Sequence, residues 1–406
     1  MNGLKLSDQQ LLKLMDGLVD PDQNLPEAFS RSVWSLITEP GDRFAGALIS
    51  TLGAKRALEC ELAKIPASKY IKLLSDAGYS DSSGDHFKNI EHVLKDARER
   101  WQPRLKLGAV EAMLNVAKHS KTKLITPDHE HWPEQLADLV LGVPHCLWLR
   151  GSSAVLDSSK YSMAIVGSRQ ATSYGEWVTT EIVSAASTSS IAIVSGGAYG
   201  IDAVAHRAAL ATEGSTIAIM AGGVDRLYPS GNSELLTRVI QSGAVISEQA
   251  PGSNPTKWRF LQRNRLIAAI SSATIVVEAG KRSGAISTAN HADDLNRPLG
   301  VVPGPINSPS SAGCHALIRD KQQSIVASVQ DALNLVTGEF QPELFEDLPI
   351  GPLETRALDA MGKAPQVENN IANKAGLTAR ELIMALGRLQ LLGLVAQGDR
   401  GWRKLT

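Results

Sequence analysis

MAIVG (163–167), IAIVSGG (191–197), TIAIMAGG (216–223), AVISE (244–248), ATIVVEAG (273–280) and LGVVPG (299–304) are short apolar runs, most ending in glycine. Their starts lie 28, 25, 28, 29 and 26 residues apart. That interval accommodates one strand, one turn, one helix and a return loop. The runs are rich in Ile, Val and Ala and do not alternate with polar residues, as expected of strands covered on both faces. The stretch from Met163 to Pro303 therefore reads as an α/β fold: a mostly parallel, doubly wound sheet with helices on both sides.

Ligands of such sheets bind at the carboxyl ends of the strands, and here those ends carry polar residues. Gly167, Ser168 and Arg169 follow the first run. Ser195-Gly196-Gly197-Ala198-Tyr199-Gly200-Ile201-Asp202 follows the second and leads into a helical stretch with His206 and Arg207. Glycines here serve tight βα turns, or they let backbone N–H groups face a phosphate at a helix N-terminus. Neither loop is G-x-G-x-x-G, so the expected ligand is a phosphate held with the help of Arg169 and not a nicotinamide cofactor. No cofactor is expected.

Lys257-Trp258-Arg259-Phe260-Leu261-Gln262-Arg263-Asn264-Arg265 places four cations and two aromatics in nine residues. Residues 161–337 hold 13 basic and 12 acidic side chains, so positive charge is focused in this segment. A basic run is often a solvated helix face. Rings interleaved with arginines also suit single-stranded nucleic acid, where aromatics stack on bases and cations follow the backbone. One of Trp258 and Phe260 is expected in the core.

These residues carry a family resemblance. GSR (167–169), SGGAYGIDAVAH (195–206), GGVDRLYPSGN (222–232), WRFLQRNRLIA (258–268), EAGKRSGAISTA (278–289), then VPGP (302–305) and SAGCHALI (311–318) occur in the order seen in the DprA (Smf) family of bacterial DNA-processing proteins. The resemblance spans about 130–337. It implies an extended Rossmann-like domain that binds single-stranded DNA, forms a homodimer and helps load RecA recombinase during transformation and recombination, without catalysis. By position, it implies DNA contact at Gly167, Ser168 and Arg169; at Gly196, Gly197, Tyr199 and Gly200; at Phe260, Arg263, Asn264 and Arg265; and at Lys281, Arg282, Ser283, Gly284 and Thr288. Asp202 and Asn264 fit helix caps or loop ties equally well. His206 fits a satisfied helix residue. Two positions depart from the family pattern: Asn296 stands where Gly is common, and Tyr199 where many members carry Arg.

Composition sets the outer bounds. The chain has 406 residues, enough for two or three domains, and a net charge of −1, so any DNA binding rests on a local patch. Cys60, Cys146 and Cys314 are far apart and odd in number, which suits a reduced, cytoplasmic setting. The first residues lack an apolar signal core and no run approaches 18 apolar residues, so neither export nor a membrane span is expected.

Residues 1–120 read as helical, with two short amphipathic segments meeting at Gly53 in LITEPGDRFAGALISTLGAKRALE (36–59) and a polar loop at 80–90. The resemblance implies a small domain of sterile-alpha-motif or helix-hairpin-helix type. Between Ile125 and Gly151, His129 and His131 sit too close in sequence to share a face of regular structure, so no metal site is expected. This stretch reads as a lid or extra edge strand, and the core domain as 121–337. Residues 338–350 are acidic and proline-bearing, a linker. Residues 351–406 read as three helices, the third opened by a Thr378–Glu381 capping box, and a hairpin: a winged helix. Its third helix offers only Arg380 and Arg388 as cations, which favours protein contact over strong duplex binding.

The alternative is a Rossmann-like nucleotide-binding or nucleotide-hydrolysing protein resembling the LOG type, whose P-G-G-x-G-T-x-x-E motif corresponds to Glu278-Ala279-Gly280-Lys281-Arg282-Ser283-Gly284-Ala285. The Gly-Thr-x-x-Glu end, which would supply an acid or base, is missing here.

Overall fold

The structure is a computed structural model that describes residues 6–78, 90–338, 350–362, 364–398 and 400–405. The polar loop expected at 80–90 and the linker expected at 338–350 fall almost wholly outside these residues. The chain forms two compact units, 1–339 and 340–406.

In the first unit, seven helices come first among the described residues: α1 (Asp8–Met15), α2 (Leu25–Ile37), α3 (Arg43–Leu52), α4 (Ala54–Leu62), α5 (Ala67–Asp76), α6 (Ile90–Trp101) and α7 (Leu107–His119). The joint between α3 and α4 is Gly53, whose φ of 79° suits glycine. Trp34, Tyr70 and Trp101 fill this helical core.

A nine-stranded sheet follows. Its strands are β1 (Lys123–Ile125), β2 (Leu147–Gly151), β3 (Ser162–Val166), β4 (Ala192–Ser195), β5 (Thr216–Ile219), β6 (Ala244–Ser247), β7 (Ala273–Val276), β8 (Leu299–Val301) and β9 (Ser324–Ile325). Their spatial order is β1-β2-β6-β5-β4-β3-β7-β8-β9. The six expected runs are β3 to β8, all parallel and buried along their whole length. β1 and β2 add an antiparallel edge against β6, the extra edge expected from Ile125–Gly151. Between them, His129 and His131 occupy a turn, where no strand alternation separates them, and their rings approach to 5.4 Å. Each ring has a carboxylate partner: His129 Nε2 lies 3.1 Å from Asp20, and His131 Nδ1 3.0 Å from Asp157.

The connecting helices are α8 (Ser173–Thr188), α9 (Ile201–Ala211), α10 (Ser233–Ser242), α11 (Lys257–Ile270), α12 (Gly284–Asp294), α13 (Ala312–Lys321) and α14 (Val329–Thr337). Strand alternation divides them. Met163, Ile165, Ile193 and Ile275 pack with α8, α9 and α14 on one face. Ala164, Val166, Val194 and Val276 pack with α11, α12 and α13 on the other. β3 and β7 are neighbours, and the helices that follow them, α8 and α12, leave to opposite faces. That is the topological switch point at which open α/β sheets bind ligands.

The second unit contains α15 (Pro352–Ala360), α16 (Glu368–Ala375), α17 (Ala379–Leu391) and a hairpin of β10 (Val395–Gly398) and β11 (Gly401–Lys404). Thr378 and Glu381 form the capping box that opens α17. Trp402 packs under the helices, while Ile383, Met384 and Leu391 of α17 face solvent.

Candidate nucleic-acid interface

The loops after β3, β4 and β7 and the first turn of α11 meet at the carboxyl edge of the sheet. The loops after β3 and β4 touch closely, through backbone and through the Ile201 side chain, which lies 2.6 Å from where a Cβ on Gly167 would sit. Ile201 N–H donates to the carbonyl of Ser168 at 3.1 Å, and a Cβ on Gly200 would lie 2.1 Å from that same oxygen. Gly200 also has a φ of 75°, so only glycine fits the junction. Ser168 Oγ closes its own turn by donating to the carbonyl of Gln170. Asn232, from the loop after β5, donates to the carbonyls of Gly197 and Ala198 at 3.0 and 3.1 Å and pins the second loop.

Phe260 is the centre of the exposed surface. The Arg169 guanidinium lies 5.5 Å from its ring centroid and that of Arg263 lies 5.8 Å away. The Tyr228 ring approaches to 5.7 Å at a tilt of 51°. Both distances to guanidinium are within cation–π range, which steadies the ring and the one exposed arginine. Arg169, Tyr199 and Tyr228 are exposed, as are Lys281 and Arg282 across the β3–β7 crevice. Neither Trp258 nor Phe260 is a core residue: Phe260 is half-buried and Trp258 exposed.

Of the rest of the expected contact set, Gly284 is exposed, Gly167, Ser168, Gly200 and Ser283 are half-buried, and six residues lie inside the protein. Arg263 is buried and donates through Nη1 to the carbonyls of Gly196 at 2.7 Å and Ile219 at 2.5 Å, tying the ends of β4 and β5 together. Burial pushes its pKa down to about 10, opposed by attraction to Asp202, and it stays charged at neutral pH. Burial likewise raises the Asp202 carboxyl, and the nearby Arg263 counters it. Asn264 donates to the carbonyl of Gly284 at 3.2 Å. Arg265 pairs with Glu248 at the end of β6 and donates to the carbonyl of Gly142 at 2.7 Å. Thr288, Gly196 and Gly197 are buried as well. These side chains shape the loops from beneath, because α11 runs into the sheet with everything from Arg263 to Ile270 enclosed.

Ser283 caps α12 by accepting from Ala285 N–H at 3.2 Å. His206 is fully buried, shares a hydrogen with Thr216 Oγ1 at 2.8 Å, and is pushed down to about 3 by burial. Glu278, the acid of the β7 loop, accepts from Thr172 N–H and Oγ1 and from Ser310 Oγ, which anchors the start of α8. Tyr228 and Asn232 were absent from the expected set, although GGVDRLYPSGN contains both; a polar and aromatic loop at a strand end is the signal that marks them.

A family model described as DNA recombination-mediator protein A matches residues 123–337, the whole sheet and its helices. This chain belongs to that family. Within it, a DNA processing protein DprA of Mycobacterium tuberculosis is 39% identical over 300 residues, covering 70% of this chain and 77% of its own length. Protein Smf of Escherichia coli is 32% identical over 308 residues, covering 73% and 81%. The X-ray structure of DNA processing protein A from Streptococcus pneumoniae superposes with a TM-score of 0.57 at 27% identity, covering 76% of this chain and 96% of that one. The DprA/Smf assignment thus rests on sequence and on the Rossmann-like fold together.

Proposed function

We propose that this protein processes DNA by binding a single strand across the carboxyl edge of the sheet, works as a homodimer, and passes the strand to RecA recombinase in transformation or recombination. The observation that carries the reading is the Phe260 ring held between Arg169 and Arg263, with Tyr228 beside it and Lys281 and Arg282 across the crevice. It supplies what a strand without sequence preference needs: a ring for a base and exposed cations for phosphates. The names of the M. tuberculosis and S. pneumoniae relatives support DNA processing as the setting. The role is binding, in the cytoplasm, with no cofactor.

Fluorescence anisotropy with labelled oligothymidine and a duplex of the same length, across a salt series, tests this. The single strand is expected to bind more tightly than the duplex, because bases paired in a duplex cannot reach the rings, and to weaken as salt rises. Equal binding of both, or none at low salt, contradicts it. RecA loading is tested separately, by whether the protein speeds RecA filament assembly on strands covered by single-strand-binding protein.

A further inference from the structure

Beside the Phe260 site, α11 meets the N-terminal helical domain through an unusual cluster of charge. Arg259 donates through Nε and Nη2 to both oxygens of Glu39, each at 2.9 Å. Arg104 donates to the same Oε1 at 2.7 Å, so two guanidiniums lie within two hydrogen-bond lengths of one another. In the same loop, Asp42 accepts from Trp101 Nε1 at 3.0 Å and lies 3.8 Å from Arg100. Three cations, Arg259, Arg104 and Arg100, therefore face two carboxylates, and the cluster keeps a positive excess. The Arg100 side chain is 56% exposed, that of Arg104 41%, and Trp258 is 55% exposed at the adjoining first turn of α11.

We infer that the N-terminal helical domain is part of the nucleic-acid site. The bound strand leaves the Phe260 ring, passes over the first turn of α11, stacks a base on Trp258, and sets its next phosphates on Arg104 and Arg100. Two features select a single strand as the occupant: the positive excess attracts phosphate, and Trp258 shares the first turn of α11 with Phe260, so the patch adjoins the Phe260 site. An exposed tryptophan flanked by cations, here Lys257 and Arg259, is also the pairing that single strands use. Glu39 and Asp42 act as positioning residues that hold the two arginines toward the strand. The inference rests on the reading of the Phe260 site, and its test separates the two.

The test compares a short oligothymidine of roughly 5 nucleotides, which fills the Phe260 site alone, with one of roughly 20 that also reaches the helical domain. Arg100→Ala/Arg104→Ala is expected to weaken the long strand about tenfold or more while leaving the short one unchanged, and to flatten the salt slope for the long strand by about 1.4, two phosphate contacts. Trp258→Ala is expected to weaken the long strand alone. Unchanged short-strand binding in these variants doubles as the check that they fold. If neither variant affects the long strand while Arg169→Ala weakens both lengths, the inference is overturned and the Phe260 site stands. If Arg169→Ala affects neither length, the Phe260 reading falls first, and this inference falls with it.

Discussion

Arg169 and Arg263 both lie against the ring of Phe260, yet one faces solvent and the other the core. Their roles should separate in measurement. Arg169→Ala is expected to weaken single-strand binding at every sequence and to flatten the salt slope by about 0.7, one phosphate contact on a single strand. Unchanged affinity and slope would remove the phosphate role from this turn. Phe260→Ala is expected to cost about 1–3 kcal/mol of binding while leaving the salt slope intact, since stacking releases no counterion. A loss confined to the slope would show that the ring serves only to orient Arg169. That the whole RNR segment turns inward was not legible in a count of cations. The signal was nearby: AVISE is the one run of the six that ends in a carboxylate, and Glu248 is the partner that takes Arg265 into the core. The wholly apolar LIAAI that follows Arg265 also requires α11 to enter the sheet.

At the scale of elements, periodicity was enough for β3 to β8, because strands buried on both faces must be continuous apolar runs. It missed β9, a two-residue strand with both residues exposed, which has no pattern to show. The capping box at Thr378, the Gly53 joint and the left-handed Asn296, with a φ of 53°, were readable because each is a local steric or hydrogen-bonding demand. His206 could not be resolved from sequence, since a histidine on α9 serves a ligand or a neighbour equally well. In the structure it joins α9 to β5 as a buried neutral ring. Its folded pKa of about 3 lies below the ordinary value of 6.5, so between these the unfolded chain takes up a proton that the folded chain refuses. Stability is therefore full above about pH 6.5 and declines as pH falls toward 3. His206→Gln is expected to flatten that decline by about 1.4 kcal/mol per pH unit, read from urea unfolding at mildly acidic and neutral pH. An identical decline in both proteins would place the responsible proton elsewhere.

For the whole molecule, a net charge of −1 means that no long-range field draws DNA in, and binding depends on where the charges and rings are concentrated. The unit 340–406 has its own core, and its third helix exposes Ile383, Met384 and Leu391 with few cations. Deleting 345–406 is accordingly expected to leave single-strand affinity within about twofold of the full chain, well under the 1.4 kcal/mol that a tenfold change represents. A collapse in affinity would move the main site into that unit. The most direct measurement is photocrosslinking of a single strand carrying halogenated uracil, with the attached peptides identified by mass spectrometry. Crosslinks at Phe260 or Tyr228 are the predicted result; crosslinks confined to 340–406, or to the opposite edge of the sheet, would contradict the account.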